Sequence, residues 1–438
     1  MTAAARAGVR AYAAVTGAYW GFTLTDGALR MLVLLHFNAL GYSPIELALL
    51  FVLYEACGVV TNLVGGWVAT RFGLRATLWS GLALQIGALL MLAALDPAWG
   101  RETGVIWAVL AQGLAGIAKD LTKMSAKSAI KAVVPDDGAS GGGRLFRWVA
   151  LLTGSKNALK GVGFFLGGAL LGGLGFQGGL IAMAAGLGVV LVAALVTVPA
   201  GLGGRARKAP FRGIFARNPA VNLLSAARLF LFGARDVWFV VGLPVFLHDG
   251  LGWSFARTGG FMAVWTIGYG IVQASAPALV RRRGAPVAGD PAAGDPAAGD
   301  PVARDAARIW AAVLAVIPAA MAAALAGDPA PDMAAWIVVG GLLAFGVVFA
   351  INSAVHSYLI LAYAEGDRIA LNVGFYYMAN AMGRLVGTLA SGLLFAAGGL
   401  ALCLAGSAVM VALSFLIALA LPVPPAADPT APLQDLPE

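Results

Sequence analysis

Charged residues are scarce in this sequence of 438 residues. Asp, Glu, Lys and Arg make up 11% of it, hydrophobic residues make up 60%, and mean hydropathy is +0.85. Soluble domains carry roughly 25% charged and 45–50% apolar residues, so the composition excludes an ordinary soluble enzyme and a disordered protein. The apolar stretches run for about 20 residues without alternation, which also excludes an outer-membrane β-barrel.

Cysteine and histidine are also scarce. Cys57 and Cys403 both lie in apolar runs, and this placement predicts no disulfide framework, no zinc site and no redox motif. His36, His248 and His356 are too scattered for a metal site. No Ser/His or His/Asp constellation is recognisable, which argues against a membrane enzyme acting on lipid phosphate. We therefore expect a protein that is not an enzyme and that needs no metal or cofactor.

The long apolar runs predict an all-α membrane protein with twelve transmembrane helices. Turn-forming clusters separate the runs, for example at residues 41–44 (GYSP) and 327–329 (GDP). The predicted spans are 12–36, 45–69, 76–95, 104–130, 146–172, 176–199, 220–247, 257–280, 308–326, 334–362, 369–396 and 400–421.

Lys and Arg are unevenly distributed between the two sets of predicted loops. One set carries basic residues from Arg6 to Arg368, whereas the other carries only Arg101 and Arg257. Because basic loops remain in the cytoplasm, we expect both termini inside, with the chain in the cytoplasmic (inner) membrane. The net charge of +8 then reflects topology and does not indicate nucleic-acid binding.

Composition also predicts the domain organisation. Residues 1–200 form an N-terminal six-helix half, and residues 201–219 form a basic cytoplasmic linker. Residues 220–422 form the C-terminal six-helix half, interrupted by the low-complexity cytoplasmic loop 284–307, in which Ala-Gly-Asp-Pro occurs three times. That loop and the charged tail 423–438 cannot bury a core and are predicted to be disordered.

The two halves resemble each other at an offset of 211 residues. Residues 40–43 (LGYS) match 251–254 (LGWS), and residues 71–73 (RFG) match 282–284 (RRG). Parallel six-helix repeats are the architecture of major facilitator transporters. The chain is therefore expected to adopt the major facilitator fold.

The loop after the second predicted span resembles the signature loop of that superfamily. Gly66, Arg71, Gly73 and Arg75 occupy pattern positions, while Thr70 stands where an acid is usual and one of the final basic residues is also replaced. Glycine permits close helix approach, and the arginines can cap helix ends of the opposite half as a conformational latch. The alternative is an ordinary basic loop.

Several ionisable residues fall within the predicted spans, where each is costly and normally faces a cavity or a partner. Asp26 and Arg30 are four residues apart, a spacing typical of an intrahelical ion pair. The basic residues outnumber the acids, and an anionic substrate would neutralise the excess. The predicted substrate-binding residues are Arg30, Lys119, Lys123, Lys156, Lys160, Arg228, Arg235 and Arg384. The residues predicted for proton coupling or charge pairing are Asp26, Glu55, Asp120 and Asp236.

Glycines also recur four residues apart in the fifth predicted span. Gly163 and Gly167 form one such pair, and Gly168 and Gly172 form a second. Small residues at this spacing are typical of close helix packing in membranes.

Four segments closely resemble the organoarsenical efflux permease (ArsJ) family of the major facilitator superfamily. They are 22–37 (FTLTDGALRMLVLLHF), 113–131 (GLAGIAKDLTKMSAKSAIK), 152–171 (LTGSKNALKGVGFFLGGALL) and 225–247 (SAARLFLFGARDVWFVVGLPVFL). The resemblance implies a permease that exports 1-arseno-3-phosphoglycerate by alternating access and confers arsenate resistance. It also implies a functional partner, glyceraldehyde-3-phosphate dehydrogenase, which makes that compound from arsenate, and we expect the permease to act as a monomer.

The basic residues alone do not identify the transported anion. A transporter of sugar phosphates, phosphonates or other organic anions would use the same residues. The coupling ion is also open, because each intramembrane acid is a candidate proton carrier for an antiporter and each has a cation nearby.

Overall fold

The computed structural model describes residues 3–72, 74–96, 98–133, 141–198, 218–281, 302–363 and 369–423. The helices in chain order are α1 (Ala3–Ala39), α2 (Pro44–Leu49), α3 (Val52–Phe72), α4 (Leu74–Ala93), α5 (Arg101–Val133), α6 (Gly141–Thr197), α7 (Pro219–Phe239), α8 (Gly242–Val245), α9 (Phe255–Arg281), α10 (Val302–Ala326), α11 (Pro331–Tyr363) and α12 (Ile369–Leu419). A π-helical turn, Phe246–Gly250, follows α8. The all-helical prediction is therefore confirmed for these ranges.

The helices form two compact units. The first contains the described residues of Met1–Tyr42, Leu49–Phe211 and Ser254–Ile267, and in it α1 packs on α5 and α6, and α5 also packs on α3 and α4. The second contains those of Ser43–Ala48, Arg212–Trp253 and Gly268–Glu438, and its main packing joins α12 to α7 and α10. Nearly all of the predicted linker, most of the loop 284–307 and the tail beyond residue 423 lie outside the described residues, so the predicted domain boundaries stay predictions.

Eight segments of the described residues are long and apolar enough to cross a membrane. Two of them, Ser155–Thr197 and Asn372–Leu419, contain 43 and 48 residues, about twice the ~20 residues that one crossing needs. Each is interrupted where the sequence predicts a break between spans. Gly175 has φ 71° in α6, and Gly399 has φ 62° in α12, a region that favours glycine. A total of twelve spans remains a prediction.

Local sequence explains several helix starts. Ser43 and Glu46 form a capping box at α2: the Ser43 amide and hydroxyl donate to Glu46 Oε2, and the Glu46 amide donates to Ser43 Oγ. At α7, Asn218 Oδ1 accepts a hydrogen bond from the Ala220 amide, and Pro219 occupies the first turn.

One predicted boundary is wrong, and two predicted spans contain a break in the helix. The span 45–69 is divided between α2 and α3 at residues 50 and 51, although Pro44–Asn62 is a single candidate membrane span. The span 220–247 is divided among α7, α8 and the π-helical turn, although Pro219–Gly250 is likewise a single candidate span. The loop 284–307 is too long, because α10 already begins at Val302, and Ala303 and Ala307 are buried one helical turn apart in the apolar core of the second unit.

Glycines allow the main helix pairs of each unit to approach closely. In the first unit, a Cβ added to Gly163 would lie 2.5 Å from the Leu24 carbonyl oxygen of α1, and one added to Gly167 would overlap Ala28. The close packing predicted for this pair is confirmed. Gly168 likewise meets Phe255 of α9, whereas Gly172 has nothing within 4 Å, so the prediction for the second pair holds only at Gly168.

The second unit has an equivalent crossing that the sequence reading missed. On α12, Gly383 packs against the Leu229 backbone of α7, and a Cβ on Gly387 would lie 2.7 Å from the Gly233 carbonyl oxygen. Gly383 and Gly387 have the same four-residue spacing as Gly163 and Gly167. The four-residue spacing was therefore visible in the sequence, although no packing was predicted for this pair.

Candidate functional site

The first unit holds two pairs of groups that link α1 to α3. Arg30 Nη1 lies 2.9 Å from Glu55 Oε1, and Glu55 is only 1% exposed. The Tyr54 hydroxyl donates a 2.6 Å hydrogen bond to Asp26 Oδ1. The expected pairing of Arg30 with Asp26 is therefore wrong. The carboxylate of Glu55 reaches the arginine from a neighbouring helix, and Asp26 accepts from a phenol.

A second group of side chains joins α5 to α3. The Asp120 carboxylate accepts from the Thr61 hydroxyl and lies 3.6 Å from Lys123 Nζ. Lys123 Nζ also donates a 3.0 Å hydrogen bond to Asn62 Oδ1. Asp120 is buried and Lys123 is half-buried, so this charge pair is held by polar groups of α3.

Lys119 is held differently from Lys123. Its Nζ lies 4.0 Å from the centre of the Tyr54 ring, a cation–π distance. No carboxylate lies within ion-pair distance of it in the described part of the chain. Gly58 makes room for the amine, since a Cβ there would lie 3.3 Å from Lys119 Nζ.

Lys156 and Lys160 are half-buried on α6, where α6 crosses α1. The Lys160 carbonyl packs on Gly27, and its amine lies 5.8 Å from the Phe164 ring centre. One residue before Lys156, the Ser155 hydroxyl accepts a 2.9 Å hydrogen bond from Trp20 Nε1 of α1. These contacts fix the segment that carries both lysines against α1.

The second unit is organised around Asp236, which is 1% exposed. Asp236 Oδ1 accepts from Arg235 Nε at 2.6 Å and lies 2.5 Å from Arg235 Nη2. Its Oδ2 accepts from Arg384 Nε at 3.2 Å. One carboxylate therefore serves two guanidinium groups, from α7 and α12. Phe232 also faces Arg235, with its ring centre 5.0 Å from the guanidinium carbon.

Arg228 has only neutral partners in the described residues. It is 4% exposed, its Nε donates to Asn380 Oδ1 at 3.1 Å, and its Nη1 donates to the Ser353 carbonyl at 3.0 Å. The Phe232 ring centre lies 4.0 Å from the guanidinium carbon and the Tyr376 ring centre 5.1 Å from it. The guanidinium is therefore buried among an amide, a carbonyl and aromatic faces, with no carboxylate in ion-pair contact in the described part of the chain.

The predicted residues therefore form two clusters, one in each unit. The first-unit cluster contains Arg30, Lys119, Lys123, Lys156 and Lys160 with Asp26, Glu55 and Asp120. The second-unit cluster contains Arg228, Arg235 and Arg384 with Asp236. In each cluster the basic side chains outnumber the acidic ones by two. Each cluster therefore has a surplus positive charge that suits an anionic ligand.

The proposed latch is only partly described. Arg75 Nη2 donates to the Leu195 carbonyl at 3.5 Å, and its guanidinium carbon lies 4.1 Å from the Trp79 ring centre. Leu195 belongs to the last turns of α6, in the same unit, so this arginine caps a helix end of its own half. Gly73 and the side chain of Arg71 lie outside the described residues, as does the packing at Gly66, and the latch role stays a prediction.

Some contributing residues were not singled out from the sequence. Tyr54, Thr61 and Asn62 on α3 contact the charged groups of α1 and α5, and Ser353 on α11 contacts Arg228. A signal did exist on α3, since Asn62 lies two helical turns after Glu55 and thus on the same face. No comparable signal marks Ser353, because it contributes a backbone carbonyl.

Comparison with known proteins identifies the family of this chain. In the described residues, no group of three or more His, Cys, Asp or Glu side chains is placed to hold a metal ion. A search of curated proteins found no match to the chain. The family profile of the Major Facilitator Superfamily, however, matches residues 13–354. The chain therefore belongs to the Major Facilitator Superfamily and is a multi-pass membrane transporter.

Proposed function

We propose that this transporter exports an organic anion, 1-arseno-3-phosphoglycerate, and thereby confers arsenate resistance. The resemblance of four segments to organoarsenical efflux permeases supports this substrate, and the surplus of basic side chains in both clusters supports an anion. The proposed setting is the cytoplasmic membrane with both termini inside, where a monomer works by alternating access. Glyceraldehyde-3-phosphate dehydrogenase supplies the compound from arsenate.

The observation that carries the proposal is the environment of Arg228 and Lys119. Each is a basic group held against an aromatic ring, and neither has a carboxylate within ion-pair distance among the described residues. A buried charge without a counter-charge is costly, and aromatic faces offset only part of that cost, roughly 0.5–2 kcal/mol. An anionic ligand supplies the missing counter-charge, so binding at these two side chains is favoured.

The test is uptake into everted membrane vesicles of 1-arseno-3-phosphoglycerate, made enzymatically by glyceraldehyde-3-phosphate dehydrogenase. Arg228→Gln and Lys119→Gln should each lower uptake at least about tenfold, the loss of one charge-assisted hydrogen bond. Arg257→Gln removes an exposed arginine outside both clusters and serves as the matched control. Its uptake should equal that of the wild type.

Two outcomes would refute the proposal. Uptake of free arsenate without the dehydrogenase would overturn the substrate. Equal uptake of glycerol phosphate and the arsenical would favour a general carrier of organic phosphates. In cells, resistance to arsenate should require both the permease and the dehydrogenase, and resistance from the permease alone would contradict the proposed partner.

A further inference from the structure

Helices α7 and α11 pack antiparallel beside Arg228, and the contacts between them fix which residues lie opposite one another. Three contacts run along this interface in order. The Trp238 and Phe345 ring centres are 5.3 Å apart, those of Phe232 and Phe349 are 5.2 Å apart, and Arg228 Nη1 lies 3.0 Å from the Ser353 carbonyl. The next turn in this register places Ser225 of α7 opposite His356 of α11. Buried apolar residues of both helices, Leu224 and Leu359, belong to one core cluster at the same level.

Three polar side chains at this level are buried without a hydrogen-bond partner in the described part of the chain. They are Ser225, which is 2% exposed, and Asn352 and His356, which are 0% exposed. Asn352 and His356 are four residues apart, so they lie on one face of α11. His356 also lies within electrostatic range of Arg228. Buried polar groups are almost always hydrogen-bonded, so an unpartnered set beside an arginine indicates a ligand site.

The chemistry of these groups restricts what could bind. Arg228 only donates hydrogen bonds, whereas Asn352 both donates from its amide nitrogen and accepts at its carbonyl oxygen. A serine hydroxyl also does both, and a neutral histidine ring has one donor and one acceptor. A carboxylate or a fully ionised phosphate carries no hydrogen-bond donor, so it would satisfy the donors and leave the acceptors unpaired. A ligand with both anionic oxygens and hydroxyl groups would satisfy all of them.

We infer that Ser225, Asn352 and His356 form, with Arg228, a subsite that selects an organic anion bearing a hydroxyl group near its charged end. Arg228 binds the anionic oxygens, and Asn352 and His356 pair with the hydroxyl. This inference rests on the proposed function and deepens it, because it names the class of organic anion. Since all three side chains are buried, the ligand reaches them in a state in which these helices separate.

The experiment compares two phosphate monoesters that differ only in their hydroxyl groups. Glycerol 3-phosphate and propyl phosphate share the charge and the three-carbon chain, so their binding to the purified full chain isolates the hydroxyl contribution. The wild type should bind glycerol 3-phosphate at least about tenfold more tightly, because a buried acceptor left unpaired weakens binding by roughly that factor or more. Equal affinity for the two esters in the wild type would overturn the inference without any variant.

Variants then assign the preference to residues. Asn352→Leu should reduce the preference to near one while keeping the affinity for propyl phosphate, since Arg228 is unchanged. Gln112→Leu is the matched control, because Gln112 is also fully buried and unpartnered but lies on α5 of the first unit, and it should keep the preference. A preference that survives in the Asn352→Leu/His356→Phe double variant would overturn the assignment.

The failure of this inference can be told from that of the proposed function. If the arsenical is transported but the wild type does not discriminate the two esters, the subsite is wrong and the proposed function stands. If discrimination is found and depends on Asn352, while the arsenical is not transported, the subsite stands and the arsenical substrate is wrong.

Discussion

Replacing Asn380 with aspartate would give Arg228 a permanent counter-charge inside the protein. Arg228 Nε already donates to Asn380 Oδ1 at 3.1 Å, and aspartate has nearly the same shape as asparagine. The substitution therefore places a carboxylate oxygen at the same position without repacking. The internal carboxylate then competes with the transported anion for the same guanidinium group.

The magnitude follows from the change in the hydrogen bond. A neutral hydrogen bond contributes about 0.5–1.5 kcal/mol and one between charged groups about 1.5–3 kcal/mol. The variant should therefore be about as stable as the wild type or up to ~1.5 kcal/mol more stable, since a new ion pair offsets the cost of burying the added charge. Anion binding should weaken by roughly 1.5–3 kcal/mol, or about tenfold to a hundredfold in affinity.

The assay measures substrate concentration dependence of vesicle uptake together with thermal unfolding in detergent. Asn380→Leu is the control, because it has a similar volume and removes the acceptor without adding charge. Asn380→Asp should keep or raise the unfolding temperature and impair uptake, whereas Asn380→Leu should lower the unfolding temperature and impair uptake less. Unimpaired uptake by Asn380→Asp would refute the assignment of Arg228 to substrate binding.

Three further predictions concern the remaining charges and the helix packing. Asp236→Asn should lower the stability of the folded protein by roughly 3–5 kcal/mol, because it leaves two guanidinium groups without their carboxylate. Arg384→Gln should lower it less, and equal decreases in the unfolding temperature of the two variants would contradict this. Gly163→Ala should destabilise the folded protein by about 1–3 kcal/mol through overpacking. Gly186→Ala is the control, because a Cβ there has nothing within 4 Å, and it should be neutral or stabilising by up to ~1 kcal/mol. The same unfolding temperature in both variants would show that α6 does not need the close approach. With the membrane potential clamped by valinomycin and potassium, collapsing the pH gradient with a protonophore should reduce uptake in vesicles. Unchanged uptake when only that gradient is removed would leave a carrier driven by the membrane potential, at about 2.3 kcal/mol per charge per 100 mV.

Apolar periodicity and turn residues predicted most of the helical architecture. The breaks at residues 41–44 and 327–329 were correct because glycine, proline and aspartate act locally: Gly41 and Asp328 have φ of 77° and 49°. The break at residue 175 was also predicted because a glycine there permits a backbone that other residues disfavour. The division of the span 220–247 was missed, since the helix breaks at residues 240 and 241 within the apolar run 238–241 (WFVV), whereas Gly242 and Pro244 lie after the break, inside α8.

The charged residues were found easily, but their partners were not. An ionisable side chain in an apolar run stands out from any single sequence, so the basic and acidic members of both clusters were identified. Pairing depends on how helices pack: Arg30 has an acid four residues away on α1, yet it pairs with Glu55 on α3. A partner four residues away on the same helix competes with a partner on a neighbouring helix, and a single sequence does not show which of the two the side chain will contact.

The pairing pattern separates the basic residues into two kinds with different roles. Arg30, Lys123, Arg235 and Arg384 each contact a carboxylate, and the last two share Asp236. Their charge is therefore at least partly balanced, and their loss mainly leaves a buried acid without its cation. Lys119 and Arg228 lie against aromatic rings with no acid in ion-pair contact among the described residues, so under the proposed function an anion supplies their counter-charge. Under the proposed function, the binding energy for an anion at each cluster should therefore come chiefly from Lys119 in the first unit and from Arg228 in the second. The residues that contact an acid instead join neighbouring helices: Arg30 joins α1 to α3, Lys123 joins α5 to α3, and Arg384 joins α12 to α7.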